Sequence, residues 1–333
     1  MKICITGGGT GGHLAVAKAL AKEAKSPIFI GSTQGQDRDY FENSPLFFKT
    51  FFLETTGVVN KKGVKKLGAL WKFFVAFLEA RKILKEHNVD AVYSVGGFSA
   101  APAAFGALSV GVPLYIHEQN ASIGKLNKIL KPFAKEFISA YEKDSPIKGY
   151  PTQEEFFTLA RQRKELKTII FLGGSQGARA INELALSVAK ELDAKRIKII
   201  HQAGKNDFER VQEEYKKLSV EVELYGFYDD IASLMHKADF AVSRSGASTL
   251  WELVANALPA FFVPYPYAAS DHQYHNALFL VEKNLAYLHR EGEGLKEALL
   301  EALESVDVAK ISKELPNYAQ KDVAKKMIQR VQK

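Results

Sequence analysis

The stretch KICITGGGTGGH, residues 2–13, joins a short apolar run to a turn rich in glycine and the beginning of a helical pattern. The same arrangement recurs in TIIFLGGSQGAR at residues 168–179. A buried strand that runs through a glycine turn into a helix is typical of βα units in parallel sheets. Glycines at this point let backbone N–H groups approach an anion at a helix N-terminus. Each half of the chain is therefore predicted to begin with an anion-binding βα unit.

Short β-branched or aromatic runs alternate with longer helical patterns along the rest of the chain, which indicates α/β architecture. The predicted strands cover residues 2–6, 27–30, 91–94, 114–117 and 136–139 in the first half, and 168–172, 197–202, 220–225, 240–243, 260–263 and 286–288 in the second. The segment SPIKGYP, residues 145–151, separates the two series and is the best hinge candidate.

We therefore predict two Rossmann-like, doubly wound α/β domains that face each other across a ligand-binding cleft. The first domain is expected at residues 1–149 and the second at residues 150–317. A last helix within residues 318–333 is expected to complete the first domain.

Net charge narrows the choice of partners. The 333 residues carry 45 basic and 38 acidic side chains, a surplus of +7, which suits nucleic acid, an anionic membrane or a phosphorylated substrate. Residues 60–85 alone carry +7, with aromatic residues between the lysines. An interfacial helix attracted to anionic lipid has this pattern, and so does a core helix with a basic rim. The residues singled out for a membrane contact are Lys61, Lys62, Lys65, Lys66, Trp71 and Phe74.

Several function classes are not expected. No stacking or groove-tracking motif accompanies the basic cluster, so a nucleic-acid partner is not predicted. The single cysteine, Cys4, and the lack of a signal-peptide core predict a reducing compartment. The longest uncharged run, residues 91–116, is interrupted by glycines and prolines, so we do not expect it to span a membrane. Metal-ligand spacing of the zinc or EF-hand type is absent, and no metal is expected.

Two nucleotide motifs are disfavoured at the first glycine turn. The turn satisfies G-x-G-x-x-G, but the second predicted strand ends without the acid of a nicotinamide site, and Asp37 lies beyond it in a polar loop. A P-loop is excluded because no Lys-Ser or Lys-Thr pair follows the glycines.

A polar constellation in the second half points to a sugar nucleotide. In SRSGASTLWE, residues 243–252, a small-residue turn leads into a helix whose N-terminus could hold phosphate, capped by Ser245 or Ser248. Glu252 lies one turn into this helix, where a carboxylate can accept hydrogen bonds from two ribose hydroxyls. The cluster Asp271-His272-Gln273 at the next strand-to-helix turn is typical of a sugar contact.

Six motifs together resemble one family. They are GGGTGGH at 7–13, SVGGFSA at 94–100, HEQN at 117–120, GGSQGAR at 173–179, SRSGAST…E at 243–252 and DHQ…N at 271–276. In this combination and order the chain resembles the MurG family within glycosyltransferase family 28. These bacterial enzymes move N-acetylglucosamine from UDP to the undecaprenyl-linked lipid I and so form lipid II for peptidoglycan.

The resemblance implies a GT-B enzyme without cofactor that inverts the anomeric carbon. UDP-GlcNAc would bind the second domain, and lipid I would bind the first. The enzyme would be peripheral, at the cytoplasmic face of the bacterial inner membrane, with cell-wall and division proteins as further partners. Two alternatives stay open: another GT-B enzyme, such as a diacylglycerol glycosyltransferase, and a non-catalytic protein that binds sugar nucleotides.

Site residues follow from the resemblance position by position. His13 is the first candidate for the general base and Glu118 a weaker one. The implied donor contacts are Ser175, Gln176, Phe227, Tyr228, Ala247, Ser248, Thr249, Glu252, His272 and Gln273. The implied acceptor and diphosphate contacts are Thr10, Gly11, Gly12, Gly96, Gly97 and Asn120. Gln153 stands where the family usually has arginine, so a cationic contact to the donor is absent or replaced.

Overall fold

The computed structural model describes residues 1–55, 64–174 and 176–331, with residues 64–66 described by their backbone alone. The chain forms two compact units. One consists of Met1–Thr152 with the segment that begins at Asp322, and the other of Gln153–Lys321. Each unit contains one six-stranded sheet in which all neighbouring strands are parallel. The prediction of two Rossmann-like α/β domains is confirmed.

The sheet of the first unit reverses its strand order in the middle. Its strands are β1 (Ile3–Thr6), β2 (Ile28–Ser32), β3 (Lys49–Leu53), β4 (Ala91–Ser94), β5 (Leu114–Glu118) and β6 (Glu136–Ser139). The helices between them are α1 (Gly11–Glu23), α2 (Asp37–Phe41), α3 (Val64–Glu86), α4 (Ala101–Ser109) and α5 (Lys125–Leu130). The order is β3-β2-β1-β4-β5-β6. The chain therefore changes direction between β1 and β4, and a doubly wound sheet binds ligands at the carboxyl ends of such a pair.

Strand β3 was not predicted from the sequence. It is an edge strand of the described sheet and pairs with β2, and its first residue, Lys49, is exposed. Ser44-Pro45 is a turn signal shortly before it, but the run FFKTFF that follows does not alternate between apolar and polar residues as a half-buried strand does. Pairing with β2, from Ile28↔Lys49 to Ser32↔Leu53, is a tertiary contact that the local pattern does not encode.

Helix α3 packs small side chains inward and presents large ones outward. Ala69, Ala76, Ala80, Ile83 and Leu84 are buried on the side that meets α4 and the sheet. The exposed large residues recur at helical spacing on another face: Leu67, Leu70, Trp71, Phe74, Val75 and Leu78. Alanines let α3 and α4 approach closely, so Trp71 and Phe74 lie outside the core, whereas the ring of Phe73 packs against Phe105 of α4.

The second unit repeats the same winding. Its strands are β7 (Thr168–Leu172), β8 (Lys198–Gln202), β9 (Glu223–Tyr225), β10 (Phe240–Ser243), β11 (Ala260–Phe262) and β12 (Tyr287–Leu288). Its helices are α6 (Glu154–Thr158), α7 (Arg179–Ala194), α8 (Phe208–Leu218), α9 (Ile231–Lys237), α10 (Ala247–Ala255), α11 (His272–Val281), α12 (Leu295–Ser305) and α13 (Val308–Glu314). The order β12-β11-β10-β7-β8-β9 reverses between β7 and β10.

A buried arginine fixes the C-terminal ends of α9 and α10. Arg163 is 1% exposed and donates to the carbonyls of Met235, Ala238 and Asn256. Burial lowers the pKa of its guanidinium to about 9, which still leaves it charged at neutral pH. A cation at the C-terminus of a helix complements the helix dipole. Arg163 thereby anchors two helices whose other ends line a cavity described below.

The last helix, α14 (Val323–Val331), belongs to the first unit and packs against α1. Met327, Ile328 and Val331 are buried there. Arg330 makes two hydrogen bonds of 2.7 Å to the carboxylate of Glu136 at the start of β6. An apolar face and a bidentate ion pair thus hold the end of the chain on the first sheet.

Candidate functional site

Two backbone turns meet at the carboxyl edge of the first sheet. The turn after β1 donates from Gly8 N to the carbonyl of Gly96, 3.1 Å away, in the turn after β4. Gly97 has a φ of +81°, and a Cβ there would overlap the carbonyl of Gly8. The two glycine motifs of the first half therefore form one surface, at the point where the strand order reverses.

A buried carboxylate holds the first of these turns. Asp37, at the start of α2, accepts hydrogen bonds from Gly9 N at 2.5 Å and from Ser32 N at 2.9 Å. Its side chain is fully buried. Asp37 is the acidic residue that the sequence places in a polar loop beyond the second strand. In the structure its carboxylate faces the backbone of the glycine turn. The geometry thus differs from a nicotinamide site, where the acid is reserved for a ribose.

His13 lies in the first turn of α1, beside both glycine turns. Thr10 Oγ1 and His13 Nδ1 share a hydrogen bond of 2.8 Å. The Cδ2–Nε2 edge of the ring lies 3.2 Å from the position that a Cβ on Gly96 would take. The structure therefore brings Thr10, His13 and Gly96 together, and Thr10 sets the orientation of the imidazole.

Glu118, at the end of β5, braces the loop that follows. Its carboxylate is 3% exposed and accepts three hydrogen bonds of 2.9 Å, from Asn120 N, Gly124 N and Asn127 Nδ2. Donors to a carboxylate occupy its lone pairs. This arrangement suits a residue that positions Asn120 better than one that takes up a proton.

His117 precedes Glu118 and points to the opposite face of the sheet. It is fully buried, and neither ring nitrogen has a hydrogen-bond partner among the described residues. Burial, followed by the nearby His13, lowers the pKa of the His117 imidazole to about 3. Tyr150, from the hinge segment, makes an edge contact with this ring at 5.7 Å. His117 is therefore a neutral imidazole beneath the glycine turns.

The second unit uses the same construction with a different brace. Gly173 N donates to the carbonyl of Gln202 at 2.8 Å, and the backbones of Gly177 and Gly204 approach so closely that neither could carry a Cβ. Behind them Asn182 Oδ1 is 3.0 Å from Nε2 of His201, whose pKa burial lowers to about 3. Asn182 Nδ2 also donates to the carbonyl of Ala203 at 3.0 Å and so ties α7 to the turn after β8.

Helix α10 begins beside that turn and carries Glu252. The Ser248 hydroxyl donates to Glu252 Oε1 at 2.6 Å. Burial raises the pKa of the Glu252 carboxyl to about 7; the bond from Ser248 opposes this, and the charge of Glu155 adds to it. A cavity of about 170 Å³ is bordered by Gly173, Gly174, Thr249 and Glu252, together with residues of α9.

A second cavity, of about 390 Å³, adjoins the glycine turn on the side of α11. Gln273 lines it and accepts a hydrogen bond from Tyr265 N at 2.9 Å. Asn276 Nδ2 donates to the carbonyl of Ser245 at 3.2 Å and so ties α11 to the start of α10. His272 donates from Nδ1 to Ala269 O and is not among the residues that line either cavity.

Arg244 separates the two cavities and was not singled out in the sequence. It donates to the carbonyls of Val263 and Pro264, forms an ion pair with Glu291 and lies over the ring of Tyr265 at 5.4 Å. The only sequence feature that could have indicated a role for Arg244 is its position in the motif SRSGAST. The partners of Arg244 lie 19 or more residues away, so its contacts follow from the folded structure and not from the local sequence.

The remaining predicted residues divide into described and undescribed ones. Phe227 is 41% exposed, and Tyr228 lies against Tyr225 at 4.7 Å. Trp71 and Phe74 are exposed on α3. Ser175, Lys61 and Lys62 lie outside the described residues, and Lys65 and Lys66 are described only by their backbone.

Within the described ranges, no group of three or more His, Cys, Asp or Glu side chains is arranged to hold a metal ion. No helix in the same part of the chain is both long and apolar enough to cross a bilayer.

Comparison with known proteins identifies the relatives of this chain. Residues 3–139 match the glycosyltransferase family 28 N-terminal domain, and residues 168–331 match the C-terminal domain of that family. A protein of Sulfurimonas denitrificans is 60% identical over 332 residues, covering 98% of this chain and 97% of its own. A Campylobacter jejuni protein is 47% identical, with coverage of 99% and 97%. Both are named UDP-N-acetylglucosamine--N-acetylmuramyl-(pentapeptide) pyrophosphoryl-undecaprenol N-acetylglucosamine transferase.

A solved structure agrees with these relatives. The crystal structure of Acinetobacter baumannii MurG superposes with a TM-score of 0.80 at 26% identity, and the match covers 99% of each chain. Staphylococcus aureus MnaA, in a co-structure with UDP, has a TM-score of 0.67 at 13% identity and shares the fold alone.

Removing the Asp37 carboxylate should destabilise the first unit. The variant Asp37→Ala leaves two backbone N–H groups without their charged acceptor, and we expect a loss of about 3 kcal/mol in the free energy of unfolding. Urea denaturation measures this loss. Asp39→Ala, an exposed acid on the same helix, is the matched control and should change stability by less than about 0.5 kcal/mol. Equal losses of stability in the two variants would contradict the role of Asp37 in holding the glycine turn.

Proposed function

The chain belongs to glycosyltransferase family 28, and from this membership we propose that it transfers N-acetylglucosamine from UDP-GlcNAc to lipid I. The product is lipid II, the precursor of peptidoglycan. The observation that carries the proposal is the pairing of a glycine turn with the start of a helix and a partly buried glutamate, around one cavity of the second unit.

The second unit is the donor domain in this proposal. Glu252 accepts the two ribose hydroxyls, and Phe227 with the Tyr228 backbone recognises uracil. The start of α10, with Ala247, Ser248 and Thr249, receives the diphosphate together with Gln176 and Ser175 of the glycine turn. Gln273 contacts the sugar from the adjoining cavity, next to His272. Oriented N–H groups at a helix start stabilise negative charge without a metal ion.

The first unit is the acceptor domain. Thr10, Gly11, Gly12, Gly96 and Gly97 form the surface for the lipid diphosphate, and Asn120 lies on the loop braced by Glu118. His13 accepts the proton as the C4 hydroxyl of the muramyl sugar attacks the anomeric carbon. The bond from that carbon to the β-phosphate oxygen breaks, and UDP leaves with the electron pair. Thr10, which holds Nδ1, supports a tautomer with Nε2 ready for the proton.

Glu118 has a different role in this scheme. Its carboxylate is occupied by three donors, so we assign it the positioning of Asn120 and leave the base function to His13. The alternative of a non-catalytic sugar-nucleotide-binding partner is disfavoured because the chain retains His13, Asn120, Glu252 and Gln273. The alternative of a diacylglycerol glycosyltransferase is disfavoured because relatives that align with nearly the whole chain are named for the transfer of N-acetylglucosamine.

Substrate choice and metal independence are tested in one assay. Purified protein is offered several UDP sugars with a lipid I analogue in excess EDTA. We expect a disaccharide lipid from UDP-GlcNAc alone and no loss of rate on chelation. A product with another UDP sugar only, or activity that returns only with a divalent ion, would overturn the assignment.

His13→Ala should lower kcat in the same assay by about 100-fold or more, because general base catalysis is lost.

Donor affinity should rise with pH through neutrality. The ionised carboxylate of Glu252 is the form that accepts two hydroxyl bonds, and burial raises its pKa to about 7, so protonation below this pH weakens binding. Calorimetry with UDP-GlcNAc between pH 6 and 8.5 measures the effect. Glu252→Gln should bind about tenfold or more weakly and show a flat profile.

The matched variant for this test is Glu155→Gln, which removes the nearby charge that raises the pKa of Glu252. Its midpoint should move to lower pH while its affinity at high pH is unchanged. A wild-type affinity that does not depend on pH would contradict the ribose assignment.

We further propose that the exposed face of α3 binds the bilayer surface where lipid I resides, at the cytoplasmic side of the inner membrane. The exposed large side chains between Leu67 and Leu78 form a stripe along the helix, and Trp71 and Phe74 in this stripe are not part of the core. The basic residues of the segment 60–85 supply attraction to anionic lipid, about 1 kcal/mol for each group near the surface.

Flotation with phosphatidylcholine vesicles, with and without phosphatidylglycerol, tests this surface. Wild-type protein should float with the anionic vesicles, and the double variant Trp71→Ser, Phe74→Ser should lose most of this binding. Phe48→Ser is the matched control, since Phe48 and Trp71 are both 68% exposed in the same unit. Equal flotation of all three proteins would refute the α3 surface.

A further inference from the structure

Lys205 lies between the second glycine turn and Phe227. It follows Gly204, whose backbone touches Gly177, and its ammonium is 4.6 Å from the centre of the Phe227 ring. The neighbouring Asn206 donates to Gln176 Oε1 at 3.2 Å. The short segment 203–206 therefore links the two parts of the proposed donor site, the diphosphate turn and the base-binding aromatic residue.

Three cations surround this turn, and they differ in how their charge is balanced. Arg244 is paired with Glu291 and bonded to two carbonyls. Arg179 is 84% exposed and faces Glu183 at 3.8 Å. Lys205 has no ion pair with any described carboxylate, and its contact is the face of the Phe227 ring. Lys205 is thus the cation whose charge is least compensated.

The position of the ammonium creates a competition at the Phe227 ring. A base that stacks on the face of the Phe227 ring over which the Lys205 ammonium lies must displace that ammonium. A cation over a solvent-exposed ring is held weakly, and a charge-assisted hydrogen bond to a phosphate oxygen is stronger. A ligand with both a base and a diphosphate therefore provides a better partner for the ammonium than the ring it vacates. A nucleoside without phosphate displaces the ammonium with no such compensation.

We propose that Lys205 is a specificity-determining donor residue that exchanges the Phe227 ring for the donor diphosphate when a nucleotide binds. The inference rests on the proposed function of the second unit. In this role Lys205 supplies the cationic contact to the donor that Gln153 does not offer at the hinge. Lys205 thereby makes the site selective for nucleoside diphosphates over nucleosides. No covalent step is involved.

Calorimetric binding of UDP-GlcNAc, UDP and uridine to the full chain tests the exchange. In Lys205→Ala we expect UDP and UDP-GlcNAc to bind roughly tenfold more weakly, whereas uridine binds as well as to wild type or better. Lys205→Arg keeps the charge and should restore nucleotide affinity. Lys190→Ala is the matched control, since Lys190 is an exposed lysine about 16 Å along α7 from the turn.

Salt supplies an independent readout that a structural role would not move. UDP affinity of the wild type should fall as ionic strength rises, and this dependence should be shallower in Lys205→Ala. Equal weakening of all three ligands, or stronger UDP binding by Lys205→Ala, would overturn the inference while leaving the donor site standing. A wild-type chain that binds no uridine nucleotide would overturn the proposed donor and this inference together.

Discussion

Direct contact between two backbone turns at the carboxyl edge of each sheet is the constraint on which the rest of the molecule depends. In the first unit, Gly97 lies against the carbonyl of Gly8, and in the second, Gly204 lies against Gly177. A Cβ at these points would separate the turns. With the turns in contact, the starts of α1 and α7 lie at the carboxyl edges of their sheets, beside the proposed acceptor and donor surfaces.

Buried polar groups maintain these contacts, and the two units use different chemistry for it. In the first unit, Asp37 holds the glycine turn after β1 and Glu118 holds the loop after β5, each by accepting backbone N–H groups. In the second unit, Asn182 donates to the carbonyl of Ala203 and to the carboxylate of Asp207, while its Oδ1 meets Nε2 of His201. Removing one member of such a set leaves a buried donor or acceptor unpaired, which costs more than the bond itself contributes. The braces therefore fix the geometry of the turns more firmly than the glycines could alone.

The small and the aromatic residues of α3 lie on different faces of the helix. Its alanines meet α4 and the sheet, which allows close approach of the two helices. Trp71 and Phe74 consequently lie outside. The sequence of this basic and aromatic segment is compatible with a core helix or an interfacial one, and the burial of Ala76 and Ala80 leaves Trp71 and Phe74 available for the proposed membrane contact.

The sequence by itself determined the fold class, the parallel βα winding, most of the strands and the motifs that carry the family resemblance. It could do so because hydrophobic period and turn chemistry are local properties. Only the tertiary structure decided that β3 forms an edge strand, that Asp37 serves Gly9, that Glu118 braces a loop and that Lys205 covers Phe227. These outcomes depend on which groups meet after the chain has folded: Asp37 is 28 residues from Gly9, and Lys205 is 22 from Phe227. A local sequence pattern shows which chemical groups are present, whereas long-range packing determines which groups they contact.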